Sequence, residues 1–162
     1  MKSSSTTTDT SSAATTTSFL QSNRHFSHTL TTTARPEAIW KIWTDVHNWK
    51  QWDSGLRDAE IQGDFSTGNK GYIISLENRK STFEITSVEP GKTYTFKTKL
   101  PMGALYIKRY LTAVENKTVF THEVWFKGFS GKLFAHVFGA KFRKILPQVM
   151  QHLKQIAEKE IN

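Results

Sequence analysis

The chain has 162 residues, a length that suits one compact domain with its own hydrophobic core. It contains no cysteine, which excludes disulfide frameworks, thiolate nucleophiles, cysteine zinc sites and iron-sulfur clusters. Twenty-two Lys and Arg residues against fourteen Asp and Glu residues give a formal net charge of +8. This charge allows nucleic acid, an anionic membrane or an acidic ligand as partner without selecting one of them.

The N-terminal segment, residues 1–23, is dominated by Ser and Thr. Such a segment buries too little apolar surface to offset the entropy of ordering, so we expect a disordered tail at 1–23 and a folded domain at 24–162. No apolar core of a secretory signal follows Lys2, and no apolar run approaches the roughly 18 residues of a membrane span. We therefore expect a cytoplasmic protein with at most peripheral membrane contact.

The folded part begins with a strand near 25–33, where apolar and polar residues alternate. Pro36 and Glu37 then mark the first turn of a helix. A second, short helical segment over 46–52 ends at Asp53, which is followed by Ser and Gly. The sequence thus predicts two short helices directly after the first strand.

Strands dominate the middle of the chain, and one helix dominates its end. Six strands are predicted near 57–62, 70–76, 80–88, 92–100, 104–115 and 118–128, separated by Gly, Asn and Pro. After Gly131 an amphipathic helical pattern runs to the end of the chain, with the apolar stripe passing through Phe134, Phe138 and Phe142. Pro147 is predicted to kink this helix near its middle.

Three hairpin turns test the strand register, because paired strands must agree on which face is apolar. As two-residue loops, they are Pro90–Gly91, Pro101–Met102 and Asn116–Lys117. They place Tyr94 opposite both Ser87 and Arg109, and they place Arg109 opposite Val124. The resulting inner face is apolar at Phe83, Ile85, Phe96, Ile107, Leu111, Phe120, Val124 and Phe126, and it encloses a polar cluster of Tyr94, Arg109 and His122.

The order of elements, together with the segments TTTARPEAIWKIWTDVHNWKQWD, SVEPGK and ILPQVMQHLKQIAEK, resembles the START-like (helix-grip, Bet v 1-like) superfamily over about residues 25–160. Within it, the chain is most similar to the polyketide cyclase/dehydrase and lipid-transport group. The most specific part of the resemblance is Pro36, Glu37, Trp40, Asp45, Trp49, Trp52 and Asp53. The resemblance implies an α+β fold with a curved, seven-stranded antiparallel sheet wrapped around a long C-terminal helix. It also implies a cavity between sheet and helix that opens near the short helices.

The polar cluster is the candidate binding site. The guanidinium of Arg109 keeps its charge and needs acceptors when buried, and no inner-face carboxylate on these strands is positioned for it. A ligand anion, a carbonyl or a water is one candidate acceptor, and a structural role for Arg109 is the alternative. His122 is either a satisfied core histidine or a proton carrier, and Tyr94 either meets the ligand or only hydrogen-bonds Arg109. The predicted ligand-binding residues are Tyr94, Arg109, His122, Phe96, Ile107, Phe83, Trp52 and Phe138, with Trp52 at the pocket mouth.

No catalytic residue, metal or cofactor is assigned. Glu123 adjoins His122 in the sequence but points to the opposite face of the strand, which disfavours a His-Glu dyad. The histidines lack metal-ligand spacing, and the sequence contains no phosphate loop or dinucleotide fingerprint. We expect no nucleic-acid partner. The Lys-rich outer side of the last helix is either solvated or in contact with anionic lipid headgroups.

Three functions follow as hypotheses. The protein is a carrier or sensor that holds a small apolar or aromatic ligand, such as a lipid, a quinone or a polyketide, in its internal cavity. Alternatively, it is a polyketide cyclase or dehydratase with acid-base chemistry in the same cavity. The resemblance also implies an activator of the ninety-kilodalton heat-shock ATPase as a third reading. The residues favour the first hypothesis, because one histidine and no inward carboxylate make a poor acid-base pair. The sequence specifies neither the ligand nor the oligomeric state.

Overall fold

A computed structural model of the chain describes residues 21–159. The predicted Ser/Thr-rich tail, residues 1–23, lies outside the described residues except for its last three positions. These three positions lead into the first strand through a turn, in which the Ser22 amide donates a hydrogen bond to the His25 carbonyl at 2.8 Å.

The elements follow the predicted order. Strand β1 (His25–Thr32) precedes helix α1 (Pro36–Thr44) and a 3-10 helix (Val46–Gln51). Six strands follow: β2 (Leu56–Ile61), β3 (Lys70–Ser75), β4 (Lys80–Glu89), β5 (Thr93–Leu100), β6 (Gly103–Val114) and β7 (Lys117–Gly128). The C-terminal helical region comprises α2 (Gly131–Phe134), a π-helical turn (Ala135–Gly139) and α3 (Ala140–Lys159).

The seven strands form one antiparallel sheet in the order β1-β7-β6-β5-β4-β3-β2. The sheet curls into a half-barrel, and the long C-terminal helix lies along its concave face. Apolar side chains of the sheet and the helices form one core between them, because each element has a single apolar face to bury. The predicted helix-grip architecture is confirmed. Within residues 21–159, no helix has both the length and the apolar character that crossing a membrane requires.

The register between β5 and β6 agrees with the prediction, with Tyr94 opposite Arg109. Between β4 and β5 the register is as predicted at Ile85 and Phe96, but a bulge between Ile85 and Ser87 shifts the remaining pairs by one residue. Val88, rather than Ser87, therefore pairs with Tyr94. The bulge turns the apolar Val88 towards the core and leaves Ser87 exposed, which explains the departure from the prediction.

Between β6 and β7 the predicted register was wrong by two residues. The loop consists of Glu115 and Asn116, and Arg109 consequently lies opposite His122 instead of Val124. On the concave face, the observed register pairs Leu105 with Phe126, Ile107 with Val124 and Leu111 with Phe120, on either side of the Arg109–His122 pair. This apolar pairing outweighs the cost of a left-handed backbone at Glu115, whose φ is 54°. A shift of two residues keeps every side chain on its predicted face.

The C-terminal helical region departs from a regular helix at the π-helical turn, which the sequence analysis did not predict. Gly139 in this turn lies against the backbone of Asn23, where a Cβ atom would come within 2.1 Å of the carbonyl oxygen. Helix α3 continues through Pro147 to Lys159. The kink at Pro147 stays a prediction.

Gly71 in β3 lies opposite Phe83 in β4 and has no room for a side chain. A Cβ atom at Gly71 would be 2.2 Å from the Glu60 carbonyl oxygen and 2.5 Å from the Phe83 ring, which stacks on Trp49 at 5.5 Å. We expect Gly71→Ala to lower the free energy of unfolding by about 1–3 kcal/mol, because the Phe83 ring must shift against Trp49. Urea unfolding followed by circular dichroism measures this change. Thr82→Ala, at an exposed neighbouring position, is the control and should lower the free energy of unfolding by under about 0.5 kcal/mol. Equal losses in the two variants would show that steric overlap at Gly71 is not the cause.

Candidate functional site

Three adjacent strands place Tyr94, Arg109 and His122 side by side. Tyr94 in β5 lies opposite Arg109 in β6, and Arg109 lies opposite His122 in β7. All three side chains are buried on the concave face, with exposed fractions of 0%, 3% and 2%. The structure thus brings the predicted polar cluster together beneath the short helices.

Arg109 is held mainly by aromatic rings. Its guanidinium carbon lies 4.8 Å from the ring centre of Trp49 and 4.7 Å from that of Trp52. Phe96 lies 5.5 Å away. Nη1 of Arg109 donates a hydrogen bond to the Tyr94 hydroxyl. The ring faces therefore supply much of the stabilisation that a buried positive charge needs.

Tyr94 links Arg109 to helix α1. Its hydroxyl accepts the bond from Arg109 and donates to the Trp43 carbonyl at 3.5 Å. Burial raises the pKa of Tyr94 to about 12, although the nearby positive charge of Arg109 acts against that rise. Tyr94 is therefore a neutral donor at physiological pH.

His122 is neutral in the folded protein. Its Nε2 accepts a hydrogen bond from the Trp43 indole N–H at 3.1 Å, so the ring proton lies on Nδ1. Burial lowers the pKa of His122 well below 6.5, and the positive charges of Arg109 and His28 lower it further. A histidine held in this way is poorly suited to carry a proton near neutral pH.

Asp53 adds a buried carboxyl group that the sequence analysis did not place in the cluster. Its side chain is 9% exposed, and Oδ1 accepts a hydrogen bond from the Gly55 amide at 3.0 Å. Burial raises the pKa of Asp53, while that bond and the charge of Arg109 lower it. No nitrogen of Arg109 lies within 4.0 Å of this carboxyl group, so the two charges interact at longer range.

Two N–H groups at the cluster have no hydrogen-bond partner among residues 21–159. They are Arg109 Nε and Trp52 Nε1, and both atoms are fully buried. A buried donor without an acceptor costs about 1–3 kcal/mol, and such a cost marks a place where an acceptor atom would be stabilising. Arg109 and Trp52 are in contact through the guanidinium and the ring, so the two free donors belong to one site.

The sequence matches a family model described as polyketide cyclase / dehydrase and lipid transport over residues 23–158. The chain belongs to this family. No curated protein matches it in sequence.

Solved structures similar to this polyketide cyclase/dehydrase family member share its fold at low sequence identity. Protein MLL2253 from Mesorhizobium loti has a TM-score of 0.70 and 20% identity, covering 84% of this chain and 98% of its own. Ara h 8.0201 has a TM-score of 0.67 and 12% identity, with coverages of 84% and 98%. Norcoclaurine synthase from Thalictrum flavum, solved with dopamine and hydroxybenzaldehyde, has a TM-score of 0.63 and 11% identity, with coverages of 85% and 86%.

Aromatic rings fill the space in front of the cluster in this family member. The Phe65 ring, from the loop between β2 and β3, meets the Tyr94 ring edge-on at 4.8 Å. Trp43 contacts His122 from α1 at 5.6 Å, and Trp49 contacts Phe96 at 5.5 Å. Aromatic rings therefore surround the polar groups of the cluster.

A cleft of about 160 Å³ lies on the other side of Trp52, between the two short helices and α3. It is lined by Lys41, Ile42, Asp45, Asn48, Gln51, Trp52 and Ile156. The Trp52 side chain, only 2% exposed, thus separates this cleft from the Arg109 guanidinium. The cleft lies next to the short helices, and the cavity that the resemblance implied between the sheet and the long helix stays a prediction.

The other predicted ligand-binding residues divide into two groups. Phe83, Phe96 and Ile107 are buried on the concave face near the cluster. Phe138 is not: its side chain is 40% exposed, stacks on Phe134 at 5.7 Å and faces the Arg79 guanidinium at 6.0 Å.

Phe138 lies on the exposed side of the helical region for a physical reason. The buried positions at the start of the C-terminal helical region are the small residues Gly131, Ala135 and Gly139. Small residues let the helix approach the sheet and the Asn23 backbone closely. The apolar stripe predicted through Phe138 is therefore displaced by one residue.

Four side chains that surround the cluster were not predicted: Trp43, Trp49, Asp53 and Phe65. Trp49 was named only as part of the resemblance, and Asp53 was predicted as the end of a helical segment. The signal for Asp53 was its position directly after Trp52, within the most specific part of the resemblance. Phe65 gave no signal, because it lies in a loop between strands that are distant from Tyr94 in the sequence.

Proposed function

We propose that this family member binds a small apolar or aromatic molecule that carries a carbonyl or carboxylate oxygen. The observation that supports this proposal is the pair of buried, unpartnered donors, Arg109 Nε–H and Trp52 Nε1–H. Both donors face an aromatic surrounding, so the ligand needs an acceptor at one end and apolar surface elsewhere. Family membership supports the same class of ligand, because the family is described as polyketide cyclase/dehydrase and lipid transport.

The ligand reaches the cluster from the cleft beside Trp52. Pockets for drug-sized molecules usually measure about 300–1,000 Å³, so a cleft of about 160 Å³ must enlarge to hold one. The Trp52 ring is the side chain whose displacement joins the cleft to Arg109. Its indole N–H has no hydrogen-bond partner within residues 21–159, and the ring is held by packing against its neighbours.

Catalysis is the alternative, and Asp53 is the observation in its favour. A buried carboxyl group with a raised pKa near Arg109 can hold a proton for delivery to a substrate. Norcoclaurine synthase, a protein of the same fold, was solved with two aromatic molecules. Binding is the favoured function, because burial makes His122 a weak base whose Nε2 already accepts a bond from Trp43, and Tyr94, with a pKa of about 12, stays protonated. Turnover of a linear β-polyketide thioester, abolished by Asp53→Asn, would favour the enzyme instead.

Arg109→Met tests the binding proposal with two aromatic probes. The first is 1-anilinonaphthalene-8-sulfonate, which is apolar and has acceptor oxygens; the second is neutral N-phenyl-1-naphthylamine, which lacks them. We expect the variant to bind the sulfonate at least about ten-fold more weakly, because a hydrogen bond to a charged group is lost. Binding of the neutral probe should change much less. Fluorescence titration measures both affinities.

Lys108→Met is the matched control, because it removes the same charge from the neighbouring residue on the opposite face of β6. Its sulfonate affinity should equal that of the unmodified chain. Equal affinities in the Arg109 and Lys108 variants, or no binding of either probe to the folded protein, would contradict the proposal. Thermal unfolding of each variant checks that the fold is retained.

A further inference from the structure

Exposed apolar side chains concentrate at one end of the molecule. Within residues 21–159, seven large apolar side chains are exposed, and six of them lie at this end: Leu76, Met102, Phe129, Leu133, Val137 and Phe138. Their exposed fractions run from 40% to 86%. We call these six residues the apolar tip. The seventh, Val114, lies at the opposite end of the sheet, in the last position of β6.

The four segments that carry the apolar tip lie next to one another. The Met102 backbone touches Gly128, the residue before Phe129. Leu133 and Val137 follow in the helical region, and their spacing of four residues places the two on one side of it. On the other side of the tip, Arg79 lies 6.0 Å from the Phe138 ring, and Lys141 pairs with Glu77 at 3.2 Å. These two contacts bring the loop that carries Leu76 up to the helix.

The topology explains why these segments meet. The turns β3–β4 and β5–β6 and the end of β7 all lie at the same end of an antiparallel sheet. The helical region begins there with Gly131 buried against the Phe126 backbone. Leu133, Val137 and Phe138 of the first helical turns are therefore exposed at this end of the sheet.

Basic residues surround the apolar tip. Segments 76–80, 99–104 and 127–141, which carry the apolar tip, contain six basic side chains and one acidic side chain. The basic residues are Arg79, Lys80, Lys99, Lys127, Lys132 and Lys141. The loops at the opposite end, 33–35, 62–69, 88–92 and 112–117, carry three basic and three acidic side chains. The positive charge of the molecule is thus concentrated where its apolar residues are exposed.

We propose that the apolar tip docks on the surface of an anionic phospholipid bilayer. Aromatic and aliphatic side chains that project beside Lys and Arg suit the boundary between headgroups and acyl chains. Each Lys or Arg near an anionic surface adds electrostatic attraction, which salt weakens. A second copy of the chain fits this end less well, because two such surfaces would bring their positive charges together. The inference does not depend on ligand binding at Arg109.

Vesicle flotation with the full chain tests the docking surface. The vesicles contain phosphatidylcholine with phosphatidylserine, or phosphatidylcholine alone. We expect binding to the anionic vesicles, weaker binding when salt is added, and little binding to the neutral ones. Phe129→Ser combined with Leu133→Ser should weaken binding to anionic vesicles by about ten-fold or more, because both side chains lose apolar burial.

Two further variants separate charge from apolar contact. Lys99→Glu with Lys132→Glu should also weaken binding to anionic vesicles, whereas Val114→Ser with Lys117→Glu, at the opposite end, should leave it unchanged. Equal binding by the tip variants and the opposite-end variant would overturn the proposal, as would absence of binding to anionic vesicles. Light scattering after gel filtration tests whether a second copy of the chain binds at the apolar tip instead. A dimer that the tip variants abolish, without vesicle binding, would assign this surface to self-association and overturn docking on lipid.

Discussion

Replacing Trp43 with Ala is expected to lower the free energy of unfolding by about 3–5 kcal/mol. The Trp43 side chain is fully buried and contacts the rings of Tyr94, Phe120 and His122. Its indole N–H also donates the hydrogen bond to His122 Nε2, which the substitution leaves without a partner. Urea unfolding monitored by far-ultraviolet circular dichroism measures the loss.

Two control variants divide this loss into its causes. Trp43→Phe keeps most of the apolar volume but removes the hydrogen bond, so about 1–2 kcal/mol of the loss should remain. Trp125→Ala removes a half-buried tryptophan from the convex face, where it stacks on Tyr106 at 5.2 Å, and should cost about 1 kcal/mol. If Trp43→Ala and Trp125→Ala were equally destabilising, the cluster would not be the centre of the core.

Acid is expected to destabilise the protein through His122. The unfolded chain takes up a proton at this histidine as the pH falls through about 6.5, whereas burial, Arg109 and His28 hold the folded pKa well below that value. The unfolded state therefore binds more protons in this range, and stability decreases as the pH falls below 6.5. The loss approaches about 1.4 kcal/mol per pH unit between the two pKa values.

His122→Gln isolates this contribution, because glutamine keeps an acceptor for Trp43 but cannot be protonated. The free energy of unfolding of this variant should fall less steeply below pH 6.5 than that of the unmodified chain. Asp53 acts in the opposite direction, because its raised pKa makes the folded state retain a proton that the unfolded state releases. Asp53 is present in the unmodified chain and in His122→Gln, so the comparison between them is not affected. Parallel pH profiles for the unmodified chain and His122→Gln would refute the assignment.

The faces of the strands were predictable from the sequence, because side chains alternate along a strand whatever its partner is. Tyr94, Arg109 and His122 were therefore expected on one apolar face before their contacts were known. An error of two residues in the β6–β7 register did not change this result. The order of elements was equally predictable, because turn residues and changes of apolar period mark their ends locally.

Only the tertiary structure decided which groups meet at the cluster. The β4 bulge, the direct pairing of Arg109 with His122 and the contact of Phe65 with Tyr94 depend on packing between segments that are far apart in the chain. The local sequence predicts Asp53 as the end of a helical segment. Its burial near Arg109 depends on how the short helices pack against the sheet. The N–H groups of Arg109 and Trp52 are buried where no other described segment supplies an acceptor. The apolar tip is exposed because no other described segment packs over it. Alternation along one strand is a local property, whereas a shared site requires long-range contacts that no local pattern records.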